Sequence, residues 1–366
     1  MTSSGAPPTP VTLGLRARRV RTTTTPTRYD HSPEQLAQLL AGQPPFRARQ
    51  VWQGLYEQLR HPAELTALPK VLRSELAGHE QLRSALTVAV ESSGDGGDTV
   101  KWLWDLGDGE QIETVLMHYP GRSTVCISTQ AGCAMGCGFC ATGQGGFRRQ
   151  LGVGEIVEQV VAARRRSEST GRRLSNVVFM GMGEPMANYD AMWTAVTRFH
   201  GHLGMSARHL TISTVGLVPG IKRLAGEDLP VNLAVSLHAA NDELRNQMVP
   251  INRTYPLEVL IQSCRDYLEA KGRRLSFEWA LIDGVNDQPR DAFELAGIAR
   301  SLGAHVNLIP LNPTPGYPTV GTPPNVVHAF CDRLVELGVN ATIRRNRGTS
   351  IDAACGQLAA RISADT

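Results

Sequence analysis

Residues 132–143 read GCAMGCGFCATG, and they come soon after the strand-like run STVCIS at 123–128. The cysteines stand at positions 133, 137 and 140, with the spacing C-x3-C-x2-C. Three thiolates on one short loop form a soft-metal site. The set is one ligand short of a closed [4Fe–4S] cage and of a structural zinc tetrahedron. The spacing at a strand end favours a cluster with one open iron; a zinc site with a fourth ligand elsewhere, or three unrelated buried thiols, is the alternative.

Strand-like and helix-like runs alternate from about residue 122 onwards. The strand-like runs are STVCIS, NVVFMG, HLTIST, VNLAVSLH, LSFEWALI and HVNLIPL, and a last one, ATIRR, follows. The helix-like runs are EIVEQVVAARRR, AMWTAVTRFH, GLVPGIKRLA, LEVLIQSCRDYLEAKG, AFELAGIARSL and VVHAFCDRLVELG. This alternation predicts an α/β fold with a parallel sheet. Six units with polar residues at strand ends predict an incomplete (β/α)6 barrel of the TIM type; a doubly wound open sheet is the alternative.

The pattern divides the chain into five segments. Residues 1–28 are rich in Thr, Ser, Pro and Arg and predict a disordered basic tail. Residues 29–85 have amphipathic helical periodicity and predict a small helical accessory domain. Residues 86–121 contain a glycine-rich hairpin and a third strand, which predict a β-rich connection. The catalytic core is expected at residues 122–355, followed by a C-terminal tail at residues 356–366.

Composition limits the location and the partners of the protein. The net charge is +3, and only four of the 37 basic residues are lysines. Arginine suits phosphate recognition, although the net charge alone does not reveal a nucleic-acid partner. Seven cysteines without a secretory segment argue against an extracellular disulfide framework. No apolar run is long enough for a membrane helix, so we expect a cytoplasmic protein without a membrane partner.

Polar residues follow four of the predicted strands. They are Gly183 and Glu184 in GMGEP, Ser213, the run Ser236, Leu237 and His238, and Asn312. Each has an ordinary explanation by itself, such as a helix cap or a satisfied core histidine. Because functional residues of a β/α barrel gather at the carboxyl ends of its strands, the coincidence predicts one shared pocket.

The cysteine spacing, with Phe139 before the last cysteine, resembles the signature of radical S-adenosylmethionine (SAM) enzymes. In that superfamily SAM binds the fourth iron of a [4Fe–4S] cluster and is cleaved to methionine and a 5′-deoxyadenosyl radical. The resemblance implies one cluster per chain on Cys133, Cys137 and Cys140. GMGEP is similar to the motif that contacts the SAM amino group. The remaining SAM contacts that the resemblance implies are Ser213, Ser236, Leu237, His238 and Asn312.

Four segments together are similar to the ribosomal RNA (adenine-C2)-methyltransferase family of radical SAM enzymes. They are GCAMGCGFCATG, GMGEPMANYD, LIPLNPTPG and RNRGTSIDAACGQL. The similarity extends from about residue 46 to the C-terminus. The departures are GGFRR after the cysteine loop, and Thr349 and Ser350 at positions where the family usually has acids.

The family resemblance implies a radical route, which the target atom requires because adenine C2 is electron-poor and is not a nucleophile. Cys355 would take a methyl group from one SAM. The radical from a second SAM would remove a hydrogen from that group, and the resulting carbon radical would add to C2. Glu113 matches the general base for the C2 proton. Cys126 would then attack the Cys355 sulfur, release the methylated base and leave a disulfide.

The implied substrates are adenosine 2503 of 23S ribosomal RNA and, as in many family members, adenosine 37 of certain transfer RNAs. Such a base must be splayed out or lie in a loop before it reaches a buried radical. An external electron donor such as flavodoxin or ferredoxin is expected. Basic runs at Arg164–Arg166, Arg172–Arg173 and Arg344–Arg347 are candidate backbone contacts, although a solvated helix face is the simpler interpretation of Arg164–Arg166. The helical domain is also a candidate, through Arg47, Arg49 and Trp52.

Three other functions stay open from the sequence. The closest is methylation of carbon 8 of the same adenosine, which uses similar motifs. A second is a radical SAM enzyme for a protein or small molecule, which would not need Cys126 and Cys355. The third is a non-enzymatic RNA-binding factor with an iron–sulfur or other structural metal site.

Overall fold

The computed structural model describes residues 25–312, 314, 320–345, 347–354 and 356–358. Most of the expected basic tail therefore lies outside the described residues. Thr27 and Arg28, at the end of that tail, are buried. Arg28 forms an ion pair with Glu158 of the core. The packed part of the chain therefore begins before residue 29.

Three helices form the N-terminal region: α1 (Pro33–Leu39), α2 (Phe46–Tyr56) and α3 (Lys70–Gly78). Helix α1 begins with a capping box, because Ser32 and Gln35 exchange hydrogen bonds between side chain and backbone. The buried stripe of α2 belongs to the same continuous apolar core as the sheet. The Trp52 indole of α2 also donates to His202 Nδ1 at 3.4 Å. This region therefore packs on the α/β core instead of standing apart from it.

Four antiparallel strands follow: β1 (Thr87–Gly94), β2 (Thr99–Asp105), β3 (Gln111–Tyr119) and β4 (Arg122–Cys126). They agree with the hairpin and third strand expected from the sequence. The register of β3 and β4 pairs Val115 with Cys126. Both residues therefore point to the same face of the sheet.

The cysteine loop lies within a small hairpin of β5 (Gln130–Gly132) and β6 (Phe147–Gln150), with the short helix α4 (Ala141–Gln144) between them. Gly132 allows this close pairing. Its φ is +72°, and a Cβ there would lie 1.9 Å from the Gly146 carbonyl oxygen. A side chain at this position would therefore open the hairpin.

Strand β4 begins a series of seven parallel strands that run in chain order across the sheet. The others are β7 (Leu174–Phe179), β8 (Leu210–Thr214), β9 (Asn232–Ser236), β10 (Leu275–Leu281), β11 (His305–Pro310) and β12 (Ala341–Ile343). All seven were expected from the sequence. A doubly wound sheet reverses its strand order at a switch point, and this sheet does not, so that alternative is wrong. Consecutive strand ends therefore lie next to one another.

Helices connect these strands: α5 (Val153–Ser169), α6 (Tyr189–Gly201), α7 (Val218–Ala225), α8 (Asp242–Met248), α9 (Leu257–Lys271), α10 (Pro289–Ser301) and α11 (Pro324–Glu336). Six of them match the helix-like runs in the sequence, whereas α8 was not expected. Helix α8 is short and polar, with the sequence DELRNQM, and has no apolar stripe from which a helix could be predicted. None of the described helices has the length and apolar character needed to cross a bilayer.

Candidate active site

The carboxyl ends of the parallel strands border one cleft. Four of the predicted polar side chains border it: Glu184, Ser213, Ser236 and His238. All three cysteines of the loop border the same cleft. The expected shared pocket therefore exists, and it brings the sulfur atoms and the polar strand ends together.

The cysteine loop is held by backbone contacts that leave its thiols available. The Cys133 N–H donates to the Gly146 carbonyl at 3.0 Å, and the Cys140 N–H donates to the Cys137 carbonyl at 3.2 Å. None of the three cysteines forms a disulfide with another described residue. Burial raises the pKa of the Cys133 thiol to about 12 and the pKa of the Cys137 thiol well above its usual value. A strongly positive partner such as iron would be needed to stabilise the thiolates.

The donor set fits an iron–sulfur cluster. In a [4Fe–4S] cluster each thiolate binds a different iron. Three sulfur donors at one end of a cleft suit such a cluster.

Glu184 is a buried carboxylate fixed at the end of β7. Its Oε1 accepts the Met186 N–H at 3.0 Å and its Oε2 accepts the Val215 N–H at 2.9 Å. Burial raises the pKa of Glu184 to about 7, and the backbone donors oppose that rise. A carboxyl group in this state gains most from a cationic partner in the cleft, such as an ammonium group.

Gly183 makes the position of Glu184 possible. Its φ is +97°, and a Cβ there would lie 2.5 Å from the Cβ of Gln130. Gln130 in turn accepts the Glu184 N–H through Oε1 at 2.8 Å. The glycine therefore lets the GMGEP turn pass close to the chain before the cysteine loop.

His238 is held as a neutral ring at the end of β9. Its Nδ1 accepts the Ala280 N–H at 3.0 Å, so the neutral ring carries its proton on Nε2. Burial, with a smaller contribution from the nearby Arg245, lowers the pKa of His238 to about 3. The ring meets Phe139 of the cysteine loop edge to face, with centroids 4.8 Å apart. His238 therefore links the strand ends to the cysteine loop.

Two of the predicted SAM contacts are not among the described residues that border the cleft. Leu237 is fully buried in the main apolar core. Asn312 is also buried, and its neighbour Leu311 borders the cleft.

Arg245 of α8 is a site residue that the sequence analysis missed. It is fully buried, and burial lowers its pKa to about 10. Its guanidinium donates to the carbonyl oxygens of Leu237 at 3.0 Å and Val215 at 2.7 Å, and to Asn252 Oδ1 at 2.6 Å. It therefore ties the loops after β8 and β9 together. An arginine in a polar helix reads as a surface residue, so the sequence contains no signal for this role.

Asn286 also holds the loop after β9, and the sequence analysis did not identify it. Its Nδ2 donates to the carbonyl oxygens of His238 at 2.8 Å and Ala280 at 2.7 Å, and its Oδ1 accepts the Ile282 N–H at 2.8 Å. These bonds hold His238, whose φ of 60° is unusual for a residue other than glycine.

Cys126 borders a second, smaller cleft of about 450 Å³ beside the first. Met180, Arg344 and Leu358 border both clefts. Ala353 and Ala354 also border the second cleft. Cys126 thus lies next to the C-terminal segment, more than 200 positions away in the sequence.

Cys355 itself lies outside the described residues. The residue after it is attached to the cysteine loop, because the Ala141 N–H donates to the Gly356 carbonyl at 2.8 Å. The Thr142 hydroxyl donates to the Leu358 carbonyl at 2.5 Å. Ala354 borders the second cleft and Gly356 borders the first.

Glu113 lies on β3, two residues from Val115 and therefore on the same face as Val115 and Cys126. It is buried, and its Oε1 lies 3.3 Å from Lys101 Nζ. Lys101 also donates to the Asp352 carbonyl at 3.2 Å. This lysine therefore connects Glu113 to the C-terminal segment. Glu113 does not border either of the two clefts as the described residues define them.

The predicted basic runs differ in their surroundings. Arg164 pairs with Glu168 of its own helix, and three others pair with acids of other elements: Arg165 with Glu64, Arg166 with Glu91 and Arg172 with Asp98. Arg344 and Arg345, by contrast, border the cleft that contains Cys126. The second group is therefore closer to the chemistry.

The sheet is singly wound, three cysteines follow its first parallel strand, and Glu184, Ser213, Ser236 and His238 border the cleft at its strand ends, an arrangement that is typical of radical SAM proteins. The family model of the Radical SAM superfamily matches residues 127–296. A crystal structure described as a radical SAM methyltransferase from Sphaerobacter thermophilus has a TM-score of 0.89 and 50% identity to this chain. The match covers 92% of this chain and 100% of that one.

Comparison with curated relatives identifies the family within the radical SAM proteins. The protein named "Probable dual-specificity RNA methyltransferase RlmN" of Chloroflexus aurantiacus is 49% identical, over 92% of this chain and 93% of its own length. The protein of the same name from Salinispora tropica is 47% identical, over 97% and 98%. The chain belongs to the RlmN family of dual-specificity RNA methyltransferases within the radical SAM enzymes, as its motifs predicted. It is therefore a SAM-dependent methyltransferase, and membership implies a [4Fe–4S] cluster and SAM.

Proposed function

We propose that the chain methylates carbon 2 of adenosine 2503 in 23S ribosomal RNA, and adenosine 37 in some transfer RNAs. One observation carries the proposal: Cys126 borders a cleft together with Ala353 and Ala354, the two residues that precede the predicted methyl carrier Cys355 in the sequence. A radical SAM enzyme that acts without a covalent adduct has no need of a cysteine beside this C-terminal segment. The position of Cys126 therefore favours the family's two-cysteine chemistry over a protein or small-molecule substrate.

Cys133, Cys137 and Cys140 hold one cluster per chain in this proposal. When bound, the reduced cluster supplies the electron that cleaves SAM and produces a 5′-deoxyadenosyl radical. Glu184 and Gly183 receive the SAM amino group, since the buried carboxylate accepts backbone N–H groups but forms no salt bridge with another described residue. Ser213, Ser236 and His238 contact the rest of SAM, and Leu237 and Asn312 contribute through their loops. Two molecules of SAM are used per turnover.

The three catalytic residues act in order. Cys355 takes the methyl group and carries it to adenine C2. Glu113 accepts the C2 proton; the Lys101 ammonium beside it, which also holds the Asp352 carbonyl, positions the carboxylate near the C-terminal segment. Cys126 attacks the Cys355 sulfur, so an S–S bond forms as the S–C bond to the product breaks.

The remaining features follow from the same proposal. The parallel strands curve into an incomplete (β/α)6 barrel, an idea supported by one cleft that touches β3, β4 and β12 alike. Residues 29–85 form an accessory domain that binds RNA. The enzyme works in the cytoplasm with an external donor such as flavodoxin or ferredoxin.

The test is anaerobic turnover of the reconstituted protein with methyl-labelled SAM and an unmodified 23S fragment. The label should appear at C2 of adenosine 2503 when the digested product is analysed by mass spectrometry. Label at C8 would support the closest alternative function. SAM cleavage without RNA labelling would favour a protein or small-molecule substrate, and no SAM cleavage would favour a non-enzymatic factor.

A further inference from the structure

A third cleft is bordered by residues at the beginnings of β8, β9, β10 and β11 and by residues in and after β12. Six arginines border it. Arg122 is the first residue of β4, Arg208 precedes β8, Arg273 and Arg274 precede β10, and Arg344 and Arg345 follow β12. They come from four distant parts of the chain. The fold therefore gathers positive charge in one concave surface.

Most of these arginines lack an acidic partner. In the part of the chain that the structure describes, no acidic side chain forms a salt bridge with Arg122, Arg208, Arg273, Arg274 or Arg345. Exposed arginines elsewhere on the surface do have such partners: Arg165 with Glu64, Arg172 with Asp98 and Arg223 with Asp190. Like charges that converge without a counter-charge repel one another, and a bound anion would relieve that repulsion.

The walls between the arginines are also suited to a phosphate–sugar chain. Glu278 is the only acid among the described residues that border the cleft, and it lies deep, where Asn307 donates to its Oε1 at 2.9 Å. The other polar walls carry amide and hydroxyl groups, including Asn176, Thr211 and Ser276. Such groups donate to phosphate and sugar oxygens.

The cleft is a neighbour of the two clefts of the active site. Met180 and Arg344 border all three. Arg345 is shared with the cleft that holds Cys126. A chain bound along the arginines would therefore run toward the side of the molecule on which Cys126 lies.

We propose that this arginine cleft binds the phosphodiester backbone that flanks the target adenosine. The inference rests on the proposed function, because it assumes an RNA substrate, and it adds a site for that substrate outside the SAM cleft. The arginines hold phosphates on one side while the splayed base enters the active site.

The test compares two double variants with the same change of charge. Arg208→Gln/Arg274→Gln removes two exposed cleft arginines, and Arg253→Gln/Arg300→Gln removes two exposed arginines elsewhere. Binding of a fluorescein-labelled, unmodified 23S fragment to the reconstituted protein is followed by anisotropy over a salt series. The cleft variant should bind roughly tenfold more weakly, and the dependence of log K on log salt should fall by about 1 to 2. SAM affinity and iron content should match the wild type.

The outcomes separate the inference from the function. If the wild type binds RNA and both double variants bind equally well, the arginine cleft is not the RNA site, although the proposed function stands. If the cleft variant loses saturable binding of inorganic phosphate but keeps RNA affinity, the cleft is a small-anion site and the inference is wrong. If the wild type fails to bind RNA at all, the proposed function fails as well. Arg122→Gln, on another wall, should weaken RNA binding independently.

Discussion

Glu184, in the turn after β7, accepts the Val215 N–H at 2.9 Å, so one carboxylate joins the ends of two neighbouring strands at the cleft that the three cysteines border. The carboxylate is buried, and its pKa is raised to about 7 by that burial. Its neutral and its charged form are therefore both populated at neutral pH. A bound ammonium group would stabilise the charged state.

Glu184→Gln should change how the stability of the SAM-free protein depends on pH. The pKa of Glu184 is about 7 in the folded state and near 4.5 in the unfolded state. Between these values the folded state holds the extra proton, so the free energy of unfolding of the wild type falls as pH rises from about 4.5 to about 7. The total loss is on the order of 3 kcal/mol. Urea unfolding of wild type and variant at pH 5 and pH 8 measures it.

The glutamine variant cannot titrate at this position, so its stability should lack that decline. The difference in free energy of unfolding between wild type and variant should therefore shift in favour of the variant at pH 8. A difference that stays constant from pH 5 to pH 8 would contradict the raised pKa. SAM affinity offers a second readout, since Glu184→Ala should keep its cluster and bind SAM more weakly.

Replacing any one of Cys133, Cys137 and Cys140 by alanine should prevent uptake of the cluster. The reason is that three ligands are already one short of a closed cage. Iron and sulfide are measured after anaerobic reconstitution. Cys331→Ala, a half-buried cysteine on α11, is the matched control and should bind iron like the wild type. Wild-type protein that takes up zinc but neither iron nor sulfide would rule out the radical chemistry.

Cys355→Ala and Cys126→Ala should fail at different steps. The first variant lacks the methyl carrier, so it should show neither a methylated protein nor an RNA adduct. The second should stall after addition and remain crosslinked to RNA. Denaturing gels of protein purified from cells, with and without nuclease, distinguish the two. Normal turnover by Cys126→Ala, with no nuclease-sensitive band, would exclude the covalent mechanism.

Gly183→Ala should destabilise the site far more than Gly171→Ala does. Both glycines have positive φ, which costs an L-residue about 1 kcal/mol. Only at Gly183 would the new Cβ also meet Gln130 at 2.5 Å, whereas at Gly171 nothing lies within 4 Å. We expect roughly 2–4 kcal/mol of lost stability at Gly183, together with weaker SAM binding. Equal thermal shifts for the two variants would contradict the steric argument.

Arg245→Met should cost several kcal/mol of stability and should disturb the loops after β8 and β9. The substitution leaves the Val215 carbonyl and the Asn252 amide oxygen without their donor, whereas the Leu237 carbonyl keeps the Ala239 N–H. Each orphaned buried acceptor costs about 1–3 kcal/mol. Chemical denaturation checks the loss, with Arg253→Met, an exposed neighbour, as the control. A variant as stable as that control would show that the loops hold without Arg245.

Sequence alone identified the parts of this protein whose signals are local. The period of the apolar residues gave all seven parallel strands and six of the connecting helices, because a strand or an amphipathic helix is encoded by neighbouring positions. The three cysteines could be recognised as ligands because they share one short loop. The sequence analysis did not predict helix α8, because its polar sequence has no apolar period. Its buried residues are Arg245 and Met248.

Tertiary structure decided which distant residues meet. Sequence motifs suggested roles for Cys126, Glu113 and Glu184, but no pattern in the chain places Lys101 between Glu113 and the Asp352 carbonyl, or Cys126 beside Ala354. The arginine cleft likewise combines residues from four separate connections of the sheet. The physical reason is that a hydrogen bond or an ion pair depends on where two side chains lie in space, and a buried polar group is satisfied by whichever partner the fold brings to it.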